Sequence, residues 1–234
     1  MVSIAEKIKN EIPNMNERII DTDIFLEDLD IPRAKKNAAL RELSRLEKDN
    51  TLTRLAKGIY AKSEVSSLTN KNKPISDKEI IRYYTKDNKG LTAGYDLYNR
   101  KNVSTQVSKT KTILSNRLKK EERTVKMITV KHTDIEMNDQ VQEYIEILEI
   151  VENSNLIQDF NEQGFYQLML NFSEIYNSHI MNYVLENLNY KKRTISNIHK
   201  ILGLLGIDSG LEKHLNTTSR YKENVAYEAI SSRR

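Results

Sequence analysis

KDNTLTRLAKGIYAK, residues Lys48 to Lys62, is the passage on which the fold turns. It follows AALRELSRLEK, where Ala39, Leu43 and Leu46 recur at the spacing of one helix face. Asn50 is a residue type that closes helices, so the helix is expected to end there. Beyond it, Leu52 and Leu55 stand on one side of Ala56-Lys57-Gly58, and Ile59 and Tyr60 on the other. This is the pattern of two short strands about a glycine turn. A helix becomes a hairpin, and the hairpin carries Arg54, Lys57 and Lys62 but no acid.

Upstream, Ser3-Ile4-Ala5-Glu6 has the S-x-x-E form of a capping box, predicting a helix that buries Ile4, Ile8 and Ile12 and stops at Pro13. Arg18, Ile19 and Ile20 read as a short strand. DIFLEDLD reads as a second helix packing Phe25, Leu26 and Leu29. Pro32 opens a third helix without cost, because its missing N–H would be unbonded there in any case. Three helices followed by a basic hairpin is the order of a winged helix-turn-helix domain. In that arrangement the third helix enters the major groove and the hairpin lies along the sugar–phosphate backbone. Donors are needed at the front of the helix and cations beside it. Arg33, Lys35, Lys36, Asn37 and Arg41 are the expected groove set, with Arg45, Arg54 and Lys57 facing phosphate.

Residues 63–75 are polar, aperiodic and contain one proline, and are expected to link residues 1–62 to a second domain spanning 76–234. Ser76-Asp77-Lys78-Glu79 is another capping box. LTAGYDLYNRK is expected to be a helix burying Leu91, Tyr95 and Tyr98. KTKTILSN and RTVKMITVKH alternate like two strands. Val141, Ile145 and Leu148 mark one side of an acidic amphipathic helix. Helices are expected over 158–188, 194–204 and 208–216, with the last dozen residues frayed. The fold class expected is α+β: an N-terminal winged helix-turn-helix, then a mixed α/β domain with a mainly helical C-terminal part.

Net charge is +4, but its distribution is uneven. Residues 1–30 hold three bases against eight acids, residues 31–62 nine against three, residues 101–131 nine against two, and residues 132–174 ten acids with no Lys or Arg. Such blocks predict a basic surface for a polyanion and a separate acidic surface. Lys109, Lys111, Lys119, Lys120, Arg123 and Lys126 form a possible second basic surface. It would either extend a DNA footprint or face a protein that handles nucleotides or RNA. The chain lacks cysteine, its four histidines fit no zinc spacing, and no apolar run approaches membrane-spanning length. The N-terminus mixes charge into its apolar residues, unlike a signal peptide. A reducing cytoplasm is expected, with no metal, no cofactor and no membrane.

LRELSRLEKDNTLTRLAKGIYAK followed by GLTAGYDLYNRKNVSTQVSKTKTI resembles the AbiEi-type antitoxins of bacterial type IV toxin–antitoxin systems. The resemblance covers roughly residues 4 to 135. It rests on Lys57-Gly58-Ile59-Tyr60, on Ala93-Gly94-Tyr95 with Leu97, and on Thr105-Gln106. It implies a repressor that binds inverted repeats upstream of its own operon and counteracts a nucleotidyltransferase-like toxin, in systems linked to abortive phage infection. The DNA-facing positions it implies are the basic residues at the start of the third helix and on the hairpin. Two other readings stay open: a winged-helix adaptor docking through the acidic segment 132–174, and a mobile-element regulator without a toxin. Two half-sites one turn apart would fit a pair of winged helices, but no dimerisation seam is visible, so a dimer and a cooperatively binding monomer are both compatible.

Other constellations carry less. Gly203-Leu204-Leu205-Gly206 lacks the lysine and hydroxyl of a phosphate loop. Asp134, Glu136 and Asp139 lack a partner motif for a hard cation. Tyr83, Tyr84, Tyr95 and Tyr98 fall at core spacing rather than as a base-stacking platform. Lys191-Lys192-Arg193 reads as a solvated helix junction. No nucleophile with its base is apparent, so an enzyme is not expected.

Overall fold

The computed structural model describes residues 3–66, 71–119, 121–216 and 218–233. It is an α+β structure with two small sheets. α1 (Ile4–Asn14) starts on its capping box: the Ser3 hydroxyl accepts from the Glu6 N–H at 3.2 Å, and the Glu6 carboxylate accepts from the Ser3 N–H at 2.9 Å. β1 (Ile19–Asp21) leads directly into α2 (Thr22–Asp28). A 3-10 turn, Arg33–Lys35, precedes α3 (Lys36–Lys48), so the third helix starts later than Pro32 and its first cations stand on the tighter turn. β2 (Leu52–Ala56) and β3 (Ile59–Lys62) are joined by Lys57-Gly58, with Gly58 at φ +78°, a conformation that favours glycine. β1 pairs antiparallel with β3, giving the order β1-β3-β2. Ile8, Ile12, Ile20, Phe25, Leu43, Leu52 and Tyr60 fill the space between helices and sheet.

The second sheet departs from the sequence reading in two places. After α4 (Asp77–Thr85), Leu91–Ala93 is strand rather than helix: β4 (Gly90–Ala93) pairs with β5 (Lys111–Ser115), and Gly94 at φ +65° turns the chain into α5 (Tyr95–Arg100). The stretch read as one strand over 123–132 is a hairpin. β6 (Glu122–Val125) and β7 (Ile128–His132) meet at a turn where Lys126 takes φ +55° without any glycine to announce it. The order is β4-β5-β7-β6, with β5 and β7 parallel.

Among the described residues five helices follow: α6 (Asp139–Asn153), α7 (Glu162–Glu174), α8 (Ser178–Asn187), α9 (Lys192–Leu204) and α10 (Val225–Ser231). Residues 158–188 are thus two helices, and 208–216 contains only a 3-10 turn at Glu212–His214. The C-terminus is docked, not frayed. Asn224 caps α10 by accepting from the Tyr227 N–H and donates to the Val151 carbonyl at 2.7 Å, while Ala226, Ala229 and Ile230 are buried. α6 is the centre of this core, burying Tyr144, Ile145, Ile147, Leu148, Ile150 and Val151 around most of its circumference.

The segment between the two units is not an open tether. Val65 bridges to Asn72, and Arg18 reaches across to Glu64 at 3.1 Å, Glu79 at 2.9 Å and the Lys73 carbonyl at 3.0 Å. A shared cluster lies beneath it. Ile19, Ile24, Ile59 and Ala61 pack with Ile75, Ile80, Tyr83, Tyr84, Ile113, Leu118, Val125, Ile128 and Val130. Each fully buried isoleucine is worth about 1.5–3 kcal/mol, so pulling the units apart would be costly.

Candidate nucleic-acid interface

α3 buries Ala39, Leu43 and Leu46, and the same helical period turns Asn37, Arg41, Ser44, Arg45 and Lys48 outward. These five, with half-buried Leu40, line a shallow depression running along the helix. Ser44 and Lys48 join the residues expected from the sequence; Lys48 lies seven residues past Arg41, on the same stripe, and that spacing is the signal for it. Arg33 and Lys35 project from the preceding 3-10 turn, and Arg54 and Lys57 from the hairpin that packs beside α3.

The cations differ in how committed they are. Among the described residues, Arg33, Lys35, Arg41, Arg54 and Lys57 are exposed and have no ion-pair partner. Lys36 is held by Asp23 at 2.8 Å. Arg45 is held by buried Glu42 at 3.1 Å, and Glu42 also faces Lys9 at 3.5 Å. An uncommitted surface cation has no protein contact to give up when phosphate approaches. The hairpin turn is fixed in position: the N–H and hydroxyl of Thr22 both donate to the Gly58 carbonyl, at 2.9 and 2.8 Å. Lys62, by contrast, turns its ammonium to the Met15 carbonyl.

Of the six residues expected as a second basic surface, the five described ones do not form one. Lys109, Lys111 and Lys126 are at one end of the second sheet, where the Lys111 N–H bonds the Met127 carbonyl, Lys111 faces Asp96 at 3.7 Å and Lys126 donates to the Ile75 carbonyl. Lys119 is at the opposite end, paired with Glu27 at 3.1 Å, where it lines a groove with Asp23, Leu26, Ile31, Arg33 and Lys36. Lys120 lies outside the described residues. Arg123 is buried. It occupies an inward position of β6, its side chain 7% exposed, with Nη1 2.5 Å from Asp21 Oδ2 and Nη2 3.1 Å from Asp23 Oδ2. Burial opposes its charge, but the two carboxylates outweigh that and raise its pKa above the ordinary arginine value.

The tyrosines are core. Tyr83 and Tyr84 meet edge to face at 4.9 Å, and the Tyr84 hydroxyl donates to Asp21 at 3.2 Å. Burial pushes the Tyr83 hydroxyl up to about 12 and the Tyr84 hydroxyl further. Part of the acidic segment turns inward, while Asp134, Glu136, Asp139, Asp159, Glu162 and Glu174 are exposed. Glu146 is buried against Arg100 at 2.5 Å and Lys101 at 2.8 Å, and Glu152 takes Lys191 at 3.2 Å. Burial, then the neighbouring Glu152 charge, raises the Glu149 pKa. Asp134 bonds His132 at 2.9 Å instead of converging with Glu136 and Asp139. His199 contacts Ser209 at 2.7 Å and Glu212 at 3.5 Å, but Ser209 is 1% exposed, so this trio closes the loop after α9 rather than presenting a nucleophile. No helix is long and apolar enough to cross a membrane, among the described residues. Comparison of the chain with protein-family models and with curated proteins finds no match.

Proposed function

We propose that the N-terminal unit is a winged helix-turn-helix that binds double-stranded DNA, with α3 in the major groove and the β2–β3 hairpin as the wing along the backbone. The observation that carries this reading is the set of five exposed, uncommitted cations on the turn before α3, on α3 itself and on the hairpin. They stand on a framework ordered helix, strand, helix, helix, hairpin with sheet order β1-β3-β2. Asn37 and Ser44 are the base-edge candidates, and Arg33, Lys35, Arg41, Arg54 and Lys57 the phosphate contacts. Lys119, sharing a groove with Arg33 and Lys36, carries the footprint onto the second unit.

With the sequence resemblance, this makes the protein a cytoplasmic autorepressor at inverted repeats upstream of its own operon. It is also the antitoxin to a nucleotidyltransferase-type toxin. The adaptor reading would have to rest on Asp134, Glu136, Asp139, Asp159, Glu162 and Glu174, because Glu146, Glu149 and Glu152 of the acidic segment face protein. The test of DNA binding is gel retardation of the region upstream of its own gene. Retardation that disappears with Arg41→Ala plus Arg54→Ala is expected; no retardation, or retardation indifferent to both substitutions, overturns the reading. Co-expression with the product of the neighbouring gene tests the antitoxin role: rescue of growth is expected, and unrelieved toxicity or a harmless neighbour would reduce the protein to a regulator.

A further inference from the structure

Three charged residues meet where the first sheet abuts the second: Asp21 at the end of β1, Asp23 in the first turn of α2, and Arg123 on β6. The guanidinium spans both acids, at 2.5 Å to Asp21 Oδ2 and 3.1 Å to Asp23 Oδ2. Asp23 turns its other oxygen to Lys36 Nζ at 2.8 Å, and Lys36 is the first residue of α3. A side chain of the second unit therefore reaches the front of the third helix through one shared carboxylate. Tyr84 of α4 donates to Asp21 at 3.2 Å, and the hairpin turn at Gly58 passes close to Arg123 Nη2.

We infer that Arg123 is a positioning residue for DNA recognition, one that sets how firmly Asp23 holds Lys36 and so links the second sheet to the DNA-facing helix. The inference rests on the DNA-binding reading above. A carboxylate already engaged by a fixed, planar guanidinium attracts a second cation less than one that is not. With Arg123 in place, Asp23 is already compensated and draws less on Lys36, whose charge stays partly available to approaching phosphates while the pair persists. Without Arg123, Asp21 is buried without its cation, Asp23 grips Lys36 more tightly, and the groove shared by Arg33, Lys36 and Lys119 gains negative potential towards the polyanion.

The experiment is fluorescence anisotropy of a labelled duplex from the upstream region, titrated with full-length wild type, Arg123→Gln, Asp23→Asn and the double variant at several salt concentrations. Arg123→Gln is expected to weaken binding by about tenfold, roughly the effect of losing one good charged contact. The double variant is expected to return to within about threefold of wild type, because the carboxylate that captures Lys36 is gone. A merely structural Arg123 would leave the double variant as weak as the single one, which overturns the inference. Asp23→Asn alone keeps the question open to test if Arg123→Gln fails to fold. It should tighten binding at low salt and steepen the salt slope by about one, as Lys36 becomes a further neutralising cation; an unchanged slope contradicts the proposal. If wild type binds and Arg41→Ala plus Arg54→Ala does not, while the Arg123 and Asp23 variants match wild type, this inference fails and the DNA-binding reading stands. If wild type binds no DNA, both fail.

Discussion

The proposed DNA binding predicts a salt dependence set by which cations are free. Arg33, Lys35, Arg41, Arg54 and Lys57 are exposed without ion-pair partners among the described residues, whereas Lys36 and Arg45 are held by Asp23 and Glu42. Each phosphate neutralised on B-DNA contributes about −0.9 to the slope of log affinity against log salt, so five contacts predict about −4.5. Between about 50 and 200 mM salt, wild-type affinity should then fall roughly 500-fold. Arg41→Ala plus Arg54→Ala removes two of the five, so the slope should shrink to about −2.7 and the fall to roughly 40-fold. Both side chains are exposed and unpaired, so the pair should change stability by no more than about 0.5 kcal/mol each. Lost affinity will therefore report lost contacts rather than unfolding. The assay is anisotropy of a labelled 20-base-pair duplex, about two helical turns, across that salt range. A double variant with the wild-type slope would refute the assignment of these arginines to phosphate.

Three further expectations concern the scaffold. A methyl at Gly90 would lie 2.5 Å from the Leu114 carbonyl oxygen and 2.6 Å from that of Tyr84, both backbone, so Gly90→Ala should cost about 1–3 kcal/mol. In a thermal melt that should appear as a drop of roughly 3–10 °C; an unchanged Tm would contradict the packing at β4. Asn224→Ala removes the cap of α10 and leaves the buried Val151 carbonyl without its donor, so urea unfolding should show a loss of about 2 kcal/mol. Glu149 has a folded pKa raised above 4.5, chiefly by burial. Its contribution to stability is therefore present below 4.5 and lost as pH rises through the raised value. Glu149→Gln should accordingly gain stability relative to wild type as pH increases through that window, and parallel pH profiles of urea unfolding would sink the assignment.

Local signals proved readable. Ser3 with Glu6 and Ser76 with Glu79 start helices as capping boxes, Ala39, Leu43 and Leu46 orient α3, and Gly58 turns the hairpin. What stayed hidden depends on contacts distant in sequence or on turns without turn residues. Leu91-Thr92-Ala93 is too short to show a period, and becomes strand because Leu114, Ile113 and Thr112 pair with it. Lys126 takes a left-handed turn that glycine or asparagine would have advertised. Arg123 meets Asp21 across 102 residues of sequence, so nothing local reveals the partner. A clue was nonetheless available. Arg123 and Val125 are two apart in a strand, and whatever face buries the valine buries the arginine as well.

The third helix and the hairpin are proposed to meet DNA together. Reductive methylation of lysines, read by mass spectrometry with and without the upstream duplex, addresses it residue by residue. Lys35 and Lys57 should be protected when DNA is added, while Lys213 and Lys222, exposed on the C-terminal helical part, should label equally in both conditions. Protection of Lys213 and Lys222 with Lys35 and Lys57 unprotected, or no protection anywhere at saturating duplex, would contradict the account.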